Sequence, residues 1–200
     1  MRLLNTNQPP GASLLGVMEL SAGEISLLQP LITHHEFKKG STLLKEGAVC
    51  RSLYLVEKGY LRTWYNKNGH PINLNFTFEK EFAGNIKSAV DRIPSEVNIT
   101  AGENTAIWLF DLDKFSPEIK AHPTIGKFIR RVTVLMLIAS EARSELLKIY
   151  TPAERYHYIE QHNPQLLQRI SISQLASYLG VTRETISRIR AQKITPLHGL

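Results

Sequence analysis

The segment Ile172–Ala191 constrains the fold of this 200-residue chain more than any other part of the sequence. It predicts two short helices crossing at a steep angle, with a tight turn at Gly180 and the small Ala176 at their closest approach. Thr182 is the expected N-cap of the second helix, because its hydroxyl can accept from an unpaired backbone amide. The apolar residues fall where two such helices would touch: Leu175, Leu179, Val181, Ile186 and Ile189.

The second of these helices has a polar and basic exposed face in this register. Arginine suits bidentate contact with guanine in the major groove, and a glutamate can accept a hydrogen bond from cytosine N4. The sequence therefore predicts a DNA-binding helix-turn-helix, with contacts from Thr182, Arg183, Glu184, Ser187, Arg188 and Arg190. The alternative is a surface helical hairpin in an ordinary helical domain. Such a hairpin does not require a small residue, a glycine, a cap and a basic face to occur together, as they do here.

The charge distribution agrees with a polyanionic partner. The net charge is +6 and the isoelectric point is near 9.5. Residues 152–200 carry six Lys and Arg against three Asp and Glu, which is half of the net charge in the last quarter of the chain. Such a basic region supplies the salt-dependent phosphate affinity on which base recognition is superimposed.

Several classes of site are disfavoured by composition. A single cysteine, Cys50, excludes an intrachain disulfide, a Cys-ligated iron–sulfur cluster and a zinc ribbon. No residue is predicted to be catalytic, to ligate a metal or to hold a cofactor, because no Ser/His/Asp set, phosphate loop or carboxylate pair emerges. His34-His35 lacks a partner at ligand spacing, and His157 and His162 are expected to face solvent or phosphate.

The sequence also predicts a bacterial-type cytoplasmic protein without a membrane segment. The longest apolar run, Val132–Ala139, is far shorter than a bilayer-spanning helix requires. The first 20 residues lack the continuous apolar region of a signal peptide and are expected to form a partly ordered arm.

The middle of the chain has the sequence pattern of an all-β domain. Short β-type runs alternate with glycines, which favours a β-barrel or jelly roll over a βαβ sheet. Asn68-Gly69 is a hairpin-turn signal, and Trp64 and Trp108 are expected in the core, with stacking on a planar effector as the alternative. The predicted strands are Thr42–Leu44, Leu53–Val56, Tyr60–Tyr65, Ile72–Phe78, Val97–Ile99 and Ala106–Phe110.

The Ile72–Phe78 run is expected to alternate cleanly between two faces. Ile72, Leu74, Phe76 and Phe78 would lie on the apolar face, and Asn73, Asn75 and Thr77 would lie on the other.

Helices are predicted on both sides of this region. A capping box at Ser21–Glu24 should start a helix that runs to about Ile32, and a second box at Thr151–Glu154, with Pro152 at the first position, starts another. Between them, a seven-residue apolar period predicts a two-stranded dimer seam, with an ordinary buried helix as the alternative. Its positions are Ile125, Phe128, Val132, Leu135, Ala139, Ala142, Leu146 and Ile149.

Three further apolar residues of this long helix, Val134, Leu137 and Ile138, lie off the seam and are expected to pack on the β domain. The fold class is thus α+β, with a domain boundary near residue 150. The predicted divisions are an arm (1–20), a jelly-roll sensor domain (21–120), a dimerisation helix (121–150) and a helix-turn-helix domain (151–200).

This arrangement resembles the Crp/Fnr family of transcription regulators over about residues 20–191. The most specific part is Thr182–Ile189, which is close to the family's Arg-Glu-x-x-x-Arg recognition helix. Leu53–Arg62, with its Gly59 turn, and Glu81–Asn85 match the family's β-roll pattern.

The resemblance implies a homodimeric DNA-binding regulator in which Arg183, Glu184 and Arg188 read bases. Double-stranded DNA and a second copy of the chain are the implied partners, with RNA polymerase and an unidentified small-molecule effector as further candidates. Gln192–Leu200 is too short for a full β-hairpin wing after the recognition helix.

The chain departs from the family where cyclic AMP is held. The Gly-Glu pair that binds the ribose is here Gly84-Asn85, and the Arg-Ser pair that binds the phosphate falls on Ser95-Glu96. The hydroxyl positions that meet adenine fall on Ser140 and Glu141. A buried phosphate beside a carboxylate is strongly disfavoured without a cation. The sequence therefore predicts a degenerate pocket for another effector or for none.

The missing positive charge has two alternative sources in this loop, Lys87 and Arg92. The four-cysteine cluster of the oxygen-sensing branch is absent, and haem sensing has no support in the sequence.

Two other functions compete with a regulator. One is a ligand- or protein-binding β-roll sensor whose helical tail is a vestigial module, which would not be expected to keep three arginines on the solvent face of one helix. The other is a cupin-type enzyme, which would need a His/Glu metal set on strands 42–65 and 72–78, where none is found.

Overall fold

The computed structural model describes residues 22–194 and has an α+β architecture. Its strands are β1 (Ile32–Phe37), β2 (Thr42–Leu44), β3 (Ser52–Lys58), β4 (Leu61–Lys67), β5 (His70–Thr77), β6 (Phe82–Ala83), β7 (Asn98–Ala101) and β8 (Thr105–Asp111). Its helices are α1 (Ala22–Leu28), a 3-10 helix (Gln29–Leu31), α2 (Ile86–Asp91), α3 (Leu112–Ala121), α4 (Pro123–Ile149), α5 (Pro152–His162), α6 (Pro164–Arg169), α7 (Ile172–Leu179) and α8 (Arg183–Ile194).

The strands form two four-stranded sheets, which confirms the jelly-roll prediction. The strand orders are β1-β8-β3-β6 and β2-β7-β4-β5. Both neighbours of β8 are antiparallel to it, with Ile32 and Leu53 opposite Phe110. Asn68 and Gly69 both have positive φ angles, 53° and 83°, as a tight hairpin turn between β4 and β5 requires.

The start of the described chain differs from the prediction. The predicted helix to Ile32 ends at Leu28, because Pro30 cannot continue an α-helix and the chain tightens into the 3-10 helix. Ile32 then begins β1, which was not predicted. Ser21 of the predicted capping box and the N-terminal arm (1–20) lie outside the described residues, as do residues 195–200.

The chain divides into two compact units. Among the described residues, the first contains the chain up to Tyr65 and Phe76–Met136, and the second contains Asn66–Asn75 and the chain from Leu137 onward. The predicted boundary near residue 150 coincides with the end of α4, whereas the division into units falls within that helix.

The first unit has two apolar clusters. One lies within the β-roll and includes Leu44, Cys50, Tyr54, Val56, Leu61, Ala83, Ile99, Ala101 and Ile107. The other joins β-strand residues to residues of α1, α3 and α4, and contains Leu28, Ile32, Leu53, Leu55, Phe82, Phe110, Phe115, Ile125, Phe128 and Val132.

The predicted dimer seam is therefore wrong at its first three positions. Ile125, Phe128 and Val132 are buried in the core of their own chain, because the first half of α4 covers the β-strand residues of the second cluster. Leu146 is also buried within one chain.

The off-seam prediction is wrong as well. Val134, Leu137 and Ile138 are exposed and do not pack on the β domain. Apolar residues occur on more than one face of α4, so the seven-residue period could not show which of them are buried.

The aromatic rings around Phe128 form the centre of this core. The Phe128 ring stacks on Phe110 with centroids 5.5 Å apart, and it lies 6.4 Å from both Phe82 and Phe115. Trp108 is only partly buried at the margin of this cluster, where its indole N–H donates to Glu57 and its ring contacts His34. Trp64 is likewise partly buried, with the Arg62 guanidinium 5.2 Å from its ring.

The predicted alternation of β5 fails at Asn73, Leu74 and Thr77. Asn73 and Thr77 are only 2% and 1% exposed, whereas Leu74 lies at the surface. For Asn73 the reason is that this part of the hairpin belongs to the second unit, where its side chain donates to the carbonyl of Gln174 and its backbone amide donates to the Ser177 hydroxyl.

No helix within residues 22–194 is long and apolar enough to cross a bilayer. The same residues contain no cluster of three or more His, Cys, Asp or Glu side chains suited to a metal ion. His34 instead pairs with Glu57 at 2.8 Å.

We predict that Phe128→Ala lowers the free energy of unfolding by about 3–5 kcal/mol, because a 3% exposed ring is lost from a packed aromatic cluster. Urea denaturation followed by circular dichroism measures this change. Val90→Ala is the control, since Val90 is 73% exposed and should change stability by less than about 0.5 kcal/mol. A similarly small effect of Phe128→Ala would contradict the placement of α4 in the core.

Candidate functional site

Helices α7 and α8 are joined by the tight turn that the sequence predicted. Helix α7 begins with a capping box in which the Ser171 hydroxyl accepts from the Gln174 amide and the Gln174 side chain accepts from the Ser171 amide. It ends at Gly180, whose φ of 68° is left-handed. The next amide, that of Val181, returns to the Ala176 carbonyl at 3.0 Å and so closes the turn.

Helix α8 begins as predicted, because the Thr182 hydroxyl accepts from the Thr185 amide at 3.2 Å. Ile186 and Ile189 are buried, as are Leu175, Ala176 and Leu179 of α7. Val181 is half-buried in the connecting turn. The burial of Ile186 and Ile189 leaves the polar side of α8 facing solvent.

Four predicted contact residues form an exposed surface on the first turns of α8: Arg183, Glu184, Ser187 and Arg188. The Arg188 guanidinium donates to the Thr185 hydroxyl at 3.4 Å. Hydrogen bonds from its own amide and from Thr182 hold the pKa of Glu184 below its usual value, so this carboxylate is ionised at neutral pH. The surface therefore presents two exposed arginines beside one ionised acceptor.

Arg190 is not part of that surface, although it was predicted to face solvent. Its side chain is half-buried, its Nε donates to the Tyr156 hydroxyl at 3.1 Å, and its guanidinium lies 5.7 Å from the Tyr156 ring. Arg190 thus connects α8 to α5. Its hydrogen bond and cation–π contact with Tyr156 draw the side chain away from solvent.

Two arginines that sequence reasoning missed hold the end of α7. The first, Arg143 of α4, donates to the backbone carbonyls of Tyr178 and Asn73 and lies 3.9 Å from the centre of the Tyr178 ring. Burial lowers the pKa of its guanidinium, and the contact with Tyr178 opposes that shift. It joins α4, the β4–β5 hairpin and α7.

The second is Arg155 of α5. Its guanidinium donates to the carbonyls of Leu147, Tyr150 and Leu179 at 2.6, 2.9 and 2.9 Å. Neither arginine is detectable from an apolar period or a motif, because both bind main-chain oxygens that carry no sequence signature.

The predicted effector-pocket residues are partly brought together in the first unit. The Asn85 side-chain amide donates to the Ser95 hydroxyl at 3.0 Å, and its carbonyl accepts from the Ser88 amide and caps α2. Ser95 is buried and donates to the Val97 carbonyl. Gly84 lies beside them, where an added Cβ would be 2.5 Å from Leu53 Cδ2. The polar atoms at positions 85 and 95 therefore bind one another.

The two alternative cations of this loop are engaged elsewhere. Lys87 pairs with Glu96 at 3.1 Å, and Arg92 pairs with Asp113 at 2.6 Å. Arg51 also binds Asp113, and these hydrogen bonds lower the pKa of that carboxylate. Ser140 and Glu141, the remaining predicted pocket positions, are exposed on α4 in the second unit.

The outward side of α4 forms a third candidate site, here called the exposed α4 face. A groove of about 440 Å³ is lined by Lys127, Arg130, Arg131, Val134 and Leu135. Leu137 and Ile138 continue the apolar part, and Glu141 and Glu145 follow it. Four of the predicted seam positions, Leu135, Ala139, Ala142 and Ile149, are also exposed.

The chain matches a known domain family in its sequence and several solved structures in its fold. Residues 34–122 match the family of cyclic nucleotide-binding domains. No curated protein sequence matches the chain significantly.

Solved structures resemble the chain over most of its length. FixK2 from Bradyrhizobium japonicum has a TM-score of 0.68 at 18% identity, over 84% of this chain and 89% of FixK2. The c-di-GMP responsive global regulator CLP from Xanthomonas campestris has a TM-score of 0.68 at 16% identity, over 90% of this chain and 96% of CLP. The catabolite activator protein of Thermus thermophilus has a TM-score of 0.54 at 20% identity, over 90% of this chain and 85% of that protein.

Proposed function

The chain has the fold of the Crp/Fnr regulators, with a cyclic nucleotide-binding-type domain at residues 34–122, and we propose that it is a homodimeric, DNA-binding transcription regulator. The observation that carries the proposal is the exposed surface of α8. Arg183, Glu184 and Arg188 project from a helix whose opposite side is buried and whose start is capped. Such a helix can enter the major groove and contact base edges with its first turns.

The alternative is a β-roll sensor with a vestigial helical module. Both functions require the same β-roll, so only the helices of the second unit can discriminate between them. The second unit has buried apolar contacts between α7 and α8, capped starts of α5, α7 and α8, and the arginine contacts at the end of α7. The exposed arginines therefore project from a well-packed helix, as contacts with base edges require, which favours the regulator.

We propose that the dimer forms through the exposed α4 face. Its aliphatic residues, Val134, Leu135, Leu137 and Ile138, lie side by side on one helix and are solvent-accessible in a single chain. Full burial stabilises each such side chain by roughly 1.5–3 kcal/mol before entropy losses. This face shares Leu135 with the seam predicted from the sequence, but it excludes Ile125, Phe128 and Val132, which are already buried.

We propose further that the β-roll does not take cyclic AMP. A phosphate placed at Ser95-Glu96 would meet a carboxylate, and the neighbouring cations Lys87 and Arg92 would each have to leave an ion pair to reach it. The Asn85 amide would also have to give up its bond to Ser95. The domain then responds to a different effector or acts without one.

We predict that Arg188→Ala weakens binding to a selected operator by about 1–3 kcal/mol and relaxes the preference at one base pair in each half-site, because an exposed bidentate donor is lost. Sequence selection from a random duplex library, followed by anisotropy titrations, measures both effects. Lys120→Ala removes an exposed charge from α3 and should leave binding unchanged. Equal weakening on every sequence would instead place Arg188 on a phosphate.

We predict that Leu137→Glu yields monomers that no longer bind a palindromic operator tightly. Leu137 is 55% exposed in one chain, so the change should disturb pairing without unfolding the monomer. Sedimentation equilibrium at micromolar concentration gives the oligomeric state, and circular dichroism verifies the fold. Val90→Glu, an equivalent change on exposed α2, should remain dimeric; a wild-type protein that sediments as a monomer would contradict the dimer itself.

We predict no saturable heat when cyclic AMP or cyclic GMP is titrated into the protein at physiological concentrations, and no change in operator affinity. The reason is the absence of an uncommitted cation among the described residues of the Asn85–Glu96 loop. Micromolar binding that disappears in Arg92→Ala would overturn this prediction, because it would show that Arg92 leaves Asp113 to hold the phosphate.

A further inference from the structure

The guanidinium of Arg155 joins two helix ends that are distant in sequence, the end of α4 and the end of α7. It reaches the carbonyls of Leu147 in the last turn of α4, of Tyr150 just beyond α4, and of Leu179 at the end of α7. Arg155 itself lies in the first turn of α5, where its backbone amide is bonded to the Thr151 carbonyl. One side chain therefore fixes the ends of α4 and α7 to the start of α5.

The chemistry of these oxygens makes arginine the suitable residue. Carbonyls at the C-terminal end of a helix have no intrahelical donor, and they carry the negative end of the helix dipole. A guanidinium presents several N–H groups in a rigid plane, whereas the lysine ammonium is a point charge on a flexible stem. A bridge to three carbonyls in fixed directions thus depends on the arginine fork.

The bridge fixes the start of α8 relative to the last turn of α4. Only three residues, Gly180–Thr182, separate the Leu179 carbonyl from the first residue of α8. The turn packs closely on the joint, since a Cβ added to Gly180 would lie 3.7 Å from Arg155 Nη1 and 4.0 Å from Leu147 Cδ2. Arg143 supports the same end of α7 from α4 through the Tyr178 carbonyl.

We propose that Arg155 is a positioning residue that sets the distance between the two DNA half-sites which the dimer accepts. The proposal rests on the proposed function, because a half-site distance exists only for a dimer paired along α4 and bound to DNA through α8. Two recognition helices must enter the major groove about one helical turn apart. The angle at the α4–α7 joint determines whether they meet that distance, while the base contacts of α8 determine which half-site they choose.

The experiment compares half-site spacing with half-site sequence. An operator is first selected with the wild-type protein, and duplexes are then made with the two half-sites moved by one or two base pairs, together with a duplex that holds a single half-site. The wild type should lose at least tenfold in affinity at a shift of one base pair. Arg155→Gln should lose less than about threefold at that shift, with unchanged affinity for the single half-site and unchanged base preference.

Two further variants keep the proposal falsifiable. Arg155→Lys retains the charge without the planar fork, so it should fold and should show intermediate spacing discrimination even if Arg155→Gln does not fold. Lys148→Gln removes an exposed charge from the last turn of α4 and should behave as the wild type. Wild-type discrimination in a folded Arg155→Gln or Arg155→Lys overturns the positioning role. Selection of no sequence by the wild type would instead overturn the proposed function.

Discussion

The first half of α4 packs on the aromatic and aliphatic side chains of the β-roll, and the rest of the molecule depends on that contact. Phe128 lies among Phe82, Phe110 and Phe115, so the helix is anchored by its own chain rather than by a partner. The second half of the same helix supplies Arg143 and Leu146 to the other compact unit. The residues of the exposed α4 face are buried in neither core, so they remain accessible to a partner.

Short sequence patterns correctly predicted the turns and caps whose conformation depends on neighbouring residues. The left-handed turn at Gly180, the caps at Thr182 and Thr151, and the Asn68-Gly69 hairpin each depend on a few adjacent residues, and the structure confirms them. Strand β1 escaped prediction because four consecutive positions in Ile-Thr-His-His-Glu-Phe are exposed, which leaves no apolar alternation. It is a strand because it pairs with β8, which is a long-range cause.

The candidate site likewise contains some features that depend on local sequence and others that depend on long-range contacts. The exposed arginines at the start of α8 follow from helical periodicity, whereas the withdrawal of Arg190 depends on Tyr156, 34 residues away. The contacts of Arg143 and Arg155 are invisible to pattern analysis, since any residue offers a backbone carbonyl. The buried face of α4 could not be assigned from the sequence either, because apolar residues occur on more than one face of the helix. Only the tertiary packing determines which of them are buried.

The order of charges along the exposed α4 face has a consequence for how ionic strength acts on the protein. Lys127, Arg130 and Arg131 precede the aliphatic residues, and Glu141 and Glu145 follow them. In the proposed dimer, two such helices lying parallel would bring cations against cations and carboxylates against carboxylates. Dissolved salt would screen that repulsion and strengthen the pairing, while it would compete with lysine and arginine for phosphates in the proposed DNA complex. Under that proposal, assembly and DNA affinity respond to salt with opposite signs, and occupancy of an operator passes through a maximum at an intermediate salt concentration.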